Sequence, residues 1–199
     1  MTTQNISINW YTNLPKKFNL KSALEYQYGI HRAGWSYALS ILTPLHNDSG
    51  VFVDGFIESK FCWGYNEGDA NNNPQPYQHP WVGFIHVPHK VPQWFHYDQA
   101  PQKIFQTSLW KESLKFCKGI FCLSNYQEKW LQQKLDVPIE SLIHPTKQPE
   151  FEFDINCFLQ NNQKRIVQIG WWLRKLHSIY YLPVEKIRKS ILVKHEPQI

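Results

Sequence analysis

The 199-residue chain carries 21 Lys and Arg against 16 Asp and Glu, a formal charge of +5, and is 42% apolar, which suits one packed domain and a fraction of another. Its cations are dispersed, with short clusters at Lys16-Lys17, Lys164-Arg165, Arg174-Lys175 and between Lys186 and Lys189, so no nucleic-acid-binding stripe is indicated; mild basicity fits a phosphorylated small ligand or peripheral contact with an anionic membrane. No apolar run reaches the roughly 18 residues of a membrane span, and the N-terminus lacks a basic-then-apolar signal segment, so a cytoplasmic protein is expected.

Ile6 to Trp10 reads as a short strand, and Leu20 to Tyr28 as a helix or loop. Over residues 31–46, Trp35, Leu39 and Leu42 recur at helical spacing, and Pro44 stops the helix near Thr43. Asn47 to Gly50 is a turn and Val51 to Asp54 a short buried strand. Residues 66–78, rich in Asn and Pro, form a surface loop. Trp81 to Val87 is a buried strand closed by Pro88, and residues 88–101 are an irregular loop. Ser108 to Cys117 is a helix with Leu109, Ser113, Leu114 and Cys117 toward one face. Gly119 to Ser124 is a strand, after which Ser124 or Asn125 caps a helix over Tyr126 to Leu135. Ser141 to His144 is a further strand, and residues 147–163 are polar and irregular. The last strand, Ile166 to Ile169, is read as buried and runs through Gly170 into the basic turn at Arg174 and Lys175.

Strands alternating with helices imply an α/β fold, a Rossmann-like parallel sheet flanked by helices. The expected organisation is a domain over 1–150, a linker over 151–163 and, because only 24 residues follow Lys175, a truncated second Rossmann-like domain over 164–199. The aromatic share of 16%, with nine Trp, fits either stacking on sugar rings or bases or a wide aromatic core. Cys62, Cys117, Cys122 and Cys157 show no CxxC spacing; the last three lie in or beside apolar segments and are expected to be buried free thiols.

Ligands of open parallel sheets bind at the carboxyl ends of the strands. Asp54, Glu58, His86, Ser124 and Thr146 follow such ends and are expected to border one cleft. His86 reads either as a ligand or general base, or as a hydrogen-bond partner that orders its loop. The spacing of His86, His89 and His96 matches no standard zinc signature, and no metal is expected. In His31-Arg32-Ala-Gly34-Trp35, Gly34 lets the backbone approach a ligand near a helix start; the segment equally reads as a loop leading to a helix with a buried Trp. Arg174 and Lys175 read as a phosphate grip or as a solvated basic turn.

These segments, in this order, resemble the N-terminal part of a GT-B glycosyltransferase of the family-four type, over most of residues 31–182. His31 to Tyr37 resembles the glycine-containing loop before the first acceptor-domain helix, and Phe84-Ile-His86 the strand ending in a histidine at the cleft. Gly119 to Tyr126 is similar to the strand, serine and helix segment of the group. Leu142 to Thr146 is similar to its strand and Pro-Asn-Gly segment, with Pro145-Thr146 in place of that tripeptide. Arg165 to Gly170 with Arg174 and Lys175 resembles the opening of the donor domain. The resemblance implies transfer of a sugar from a nucleotide-sugar donor to a saccharide or other acceptor, with no metal or other cofactor. It implies His86 as the catalytic residue, His31, Arg32, Gly34, Trp35 and Ser124 at the acceptor, and Arg174 and Lys175 at the donor diphosphate. A separate chain is a possible source of the remaining donor half. The alternatives are a non-catalytic carbohydrate- or protein-binding module, or an inactive remnant.

Overall fold

The computed structural model describes residues 17–21, 33–63, 74–95, 97–146, 150–170, 174–175, 177–184 and 187–192. Ile6 to Trp10, most of the segment from Leu20 to Tyr28, His31, Arg32 and His96 lie outside the described residues. The chain divides into two compact units, Met1–Lys147 and Gln148–Ile199.

In the first unit five parallel strands form one sheet: β1 (Phe18–Asn19), β2 (Val51–Asp54), β3 (Trp81–Ile85), β4 (Cys117–Cys122) and β5 (Ile139–Ser141). They lie in the order β1-β2-β3-β4-β5. This is the α/β parallel sheet flanked by helices that the alternating pattern predicts. Because the order is sequential, no reversal of winding, the usual position of a ligand crevice, occurs among the described strands.

The core forms where apolar residues of β3 and β4 meet the helices. Trp81, Ile85, Ile120 and Cys122 pack with Trp110, Leu131 and Ile57, all buried. The Trp81 indole N–H, buried with its ring, donates to the Ser113 carbonyl at 2.7 Å and so does not go unpaired in an apolar interior. Helix α1 (Ala33–Leu42) buries Trp35 and Leu39, exposes Leu42, and passes into a 3-10 turn over Thr43–Leu45 at Pro44. A short helix α2 (Pro101–Ile104) precedes α3 (Ser108–Leu114), whose first turn is capped by Thr107. Helix α4 (Asn125–Leu131) is capped by Ser124. The aromatic excess is divided: Trp35, Phe56, Phe61, Trp81 and Trp110 are core, while Tyr37, Trp94 and Tyr126 are exposed.

Three strands differ in position from those predicted, and β1 has no predicted counterpart; β3 ends at Ile85, before Val87. β4 begins at Cys117, which therefore belongs to the sheet and not to α3. β5 ends at Ser141, earlier than predicted, because its neighbour β4 ends at Cys122; the Cys122 carbonyl takes the last bond, from the Leu142 N–H at 2.8 Å, and Ile143 beyond it is exposed. The thiol of Cys157 is also a correction: Cys117 and Cys122 are buried, Cys62 is half-buried, and Cys157 is exposed.

The second unit holds helix α5 (Ile155–Gln160) and two parallel strands, β6 (Arg165–Ile169) and β7 (Arg188–Leu192). Residues 147–163 are thus not irregular throughout. Asp154 starts α5 by accepting from the Asn156 and Cys157 N–H groups, at 2.7 and 2.9 Å. β6 is not the buried strand expected, since Val167 and Ile169 are exposed. β7 carries Arg188 and Lys189, whose charge masks its strand pattern in the sequence. No described helix is long and apolar enough to cross a membrane.

Candidate functional site

The carboxyl end of β2 turns sharply at Gly55, and its two acids fold inward instead of lining an open cleft as expected. Asp54 is buried; one of its oxygens accepts from the Phe56 N–H at 3.0 Å and the other from the Tyr77 hydroxyl at 2.9 Å. Burial raises its pKa despite these bonds. The Lys60 ammonium lies 4.0 Å over the Tyr77 ring, and partial burial lowers its pKa. Glu58 has no exposed surface. Its Oε1 accepts from the backbone N–H groups of His86 and Val87 at 2.8 and 2.7 Å, while Oε2 is buried with no hydrogen-bond partner. Burial pushes Glu58 up to about 7, against its bonds from the main chain, and the nearby Asp54 carboxylate adds to the rise. Both acids are inside because polar partners within the fold take the place of water.

His86 stands at the end of β3 and is half-buried. Its Nε2 lies 2.9 Å from the Gly55 carbonyl. A carbonyl only accepts, so Nε2 carries the proton of this bond. The ring stands edge-on to Phe56, with centroids 4.5 Å apart, and tilts against Trp35 at 5.5 Å.

Trp35 is the hub of this end of the sheet. Besides His86 it meets Phe84 at 5.1 Å and His144 at 5.9 Å, both edge to face. Beside it, a Cβ on Gly34 would overlap the Pro145 carbonyl group and crowd the Thr146 nitrogen. The close backbone approach that glycine allows is made by the chain's own Pro145. Gly34, Trp35 and His86 come together, along with His144 and Pro145.

Ser124 does not join them through its hydroxyl. Its side chain is exposed and accepts from the Gln127 N–H at 3.2 Å, as the cap of α4. Thr146 is exposed. Arg174 and Lys175 are exposed in the second unit, where the Arg174 guanidinium lies over Gly170. Gly170 has φ 77°, a left-handed conformation that other L-residues rarely adopt.

Sequence reading placed His89 in a possible metal set and missed what it does. Its buried ring is stacked between Trp130, at 4.6 Å and within 5° of parallel, and Tyr126, at 4.9 Å. Its Nδ1 lies 2.8 Å from Gln127 Oε1, which also accepts from the His89 N–H, and Gln127 Nε2 donates to the Val87 carbonyl. This clamp ties the loop after β3 to α4. His86 and His89 are held on opposite partners, and among the described residues no group of three or more His, Cys, Asp or Glu could hold a metal.

No protein-family model, curated protein or solved structure matches this chain.

Proposed function

We propose that the chain is the acceptor side of a GT-B-type glycosyltransferase, with residues 164–199 on the donor side, acting in transfer of a sugar from a nucleotide sugar to a hydroxyl-bearing acceptor such as a saccharide. One observation carries the reading. Three segments that bear the resemblance, distant in sequence, converge on one ring: Trp35 meets Phe84 and His86 from the second segment and His144 from the third.

In this reading His86 acts at the acceptor. Its ring orients the acceptor hydroxyl or, with inversion, takes its proton. Trp35 fixes the plane of the imidazole. Negative charge accumulates on the leaving diphosphate, and Arg174 and Lys175 are the cations proposed to stabilise it. His31 and Arg32 complete the proposed acceptor set, Ser124 acts by shaping α4, and the reaction as proposed uses no metal.

A second reading, a non-catalytic carbohydrate- or protein-binding module, is favoured by how fully the polar groups near this site are committed to the fold. Glu58 and Ser124 both bond backbone N–H groups, and Gly34 is closed by Pro145.

Incubating the chain with nucleotide sugars and oligosaccharides, alone and with an added donor half, separates the two. The transferase reading expects glycosylated product and free nucleoside diphosphate from the assembled halves, both lost in His86→Ala. Saccharide binding that survives His86→Ala, with no transfer under any condition, favours the module.

A further inference from the structure

Among the described residues Glu58 is the most deeply buried carboxylate, and no cation pairs with it. The titratable groups around it are Asp54 from the end of β2, whose second oxygen is taken by the Tyr77 hydroxyl, Cys62 from the following turn, and the His86 imidazole beyond the main chain that Glu58 holds. Lys60 faces Asp54 and the Tyr77 ring. An unpaired interior carboxylate is costly and persists only where dipoles replace water. Here the dipoles are two successive backbone N–H groups, at His86 and Val87, converging on Oε1. Two N–H groups on one oxygen favour its charged form.

The other oxygen sets the behaviour of the group. Oε2 is buried and bonded to nothing, so it can take a proton without breaking either bond to Oε1. Both protonation states keep the same contacts, but the bonds differ in strength, since a charged acceptor makes a hydrogen bond roughly twice as strong as a neutral one.

We propose that Glu58 is a positioning residue for His86: the charge on its buried carboxyl sets how firmly the main chain at His86 and Val87 is held, and through it the hydrogen bond from the His86 ring to Gly55. Its consequence for catalysis rests on the reading of His86 given above; the coupling itself does not. Burial and Asp54 bring the Glu58 transition to about 7, so the clamp is charged and tight above neutrality and neutral and looser below it.

The test is an NMR titration of the full chain from about pH 5 to about pH 9, following the Glu58 carboxyl carbon, the amides of His86 and Val87, and the His86 ring nitrogens. The expected result is one shared midpoint for the Glu58 carbon and the Val87 amide, which persists in His86→Gln, where the imidazole's own titration is gone. In Glu58→Gln, which keeps an acceptor oxygen for both N–H groups, that inflection vanishes, the two amides stay hydrogen-bonded, and the midpoint of the His86 ring moves. A Val87 amide that does not follow the Glu58 carbon, or a His86 ring that titrates identically in Glu58→Gln, would overturn the proposal. These signals do not depend on sugar transfer. Coupling without transfer would count against the transferase reading; transfer without coupling would count against the role of Glu58.

Discussion

Gly34 lies backbone to backbone against Pro145, joining the first turn of α1 to the segment that follows β5. The contact fixes where Trp35 enters the interior, and so how its ring meets His86 and His144. Nothing soft lines the space a side chain on Gly34 would need, because the crowding atoms are main chain.

Replacing Gly34 by Ala is therefore expected to cost about 3 kcal/mol, through forced separation of α1 from the Pro145 segment. Urea unfolding measures it. Gly119→Ala is the comparison: there a Cβ would stand 3.4 Å from the Pro138 carbonyl oxygen, at the edge of ordinary contact, and the cost is expected to stay below about 1 kcal/mol. Equal unfolding midpoints for Gly34→Ala and the parent protein would show that the contact is slack.

The Ser124 hydroxyl satisfies a backbone donor at the start of α4. Ser124→Ala should lower stability by about 1 kcal/mol, and Ser124→Asp, an equally good cap, should restore it. Chemical denaturation of the three proteins decides this. A stable Ala variant would mean that the cap contributes nothing to stability.

Glu58 has an ordinary pKa of 4.5 when the chain is unfolded and about 7 when folded. Between those values the folded protein holds more protons than the unfolded one, so this group makes stability fall as pH rises from 4.5 through 7 and level off above. The difference corresponds to roughly 3 kcal/mol, with Asp54, also raised, acting in the same direction. Glu58→Gln should flatten that slope and make the variant more stable than the parent above neutrality. Thermal unfolding from about pH 5 to about pH 9 measures it, and an unchanged slope would show that Glu58 is not the group responsible.

Three strands of the sheet were legible because β2, β3 and β4 are apolar runs bounded by Gly, Pro and polar turns, and Pro44 marked the end of α1; the two-residue β1 was too short to show a pattern. What escaped was set by contacts distant in sequence. β5 stops at Ser141 because β4 stops, and nothing in Leu142-Ile-His shows that. β7 is disguised by Arg188 and Lys189. At the site, sequence placed His86 at the end of a strand and Trp35 in a helix, and the structure brings them together. It did not reveal that Glu58 turns inward onto the His86 main chain, or that Gly34 makes room for Pro145. Both depend on which atoms lie opposite, and local pattern carries no record of those.

The central claim is that Trp35 and His86 form one acceptor-binding centre. Saccharide titration, followed by the NMR signals of the Trp35 indole and the His86 and His144 rings, tests it most directly. The expected result is a saturable shift of Trp35 and His86 together, lost for Trp35 when His86 is replaced by Ala. Saturable saccharide binding that moves signals elsewhere and leaves these rings untouched would contradict it, as would no binding by any saccharide in the presence of the donor half.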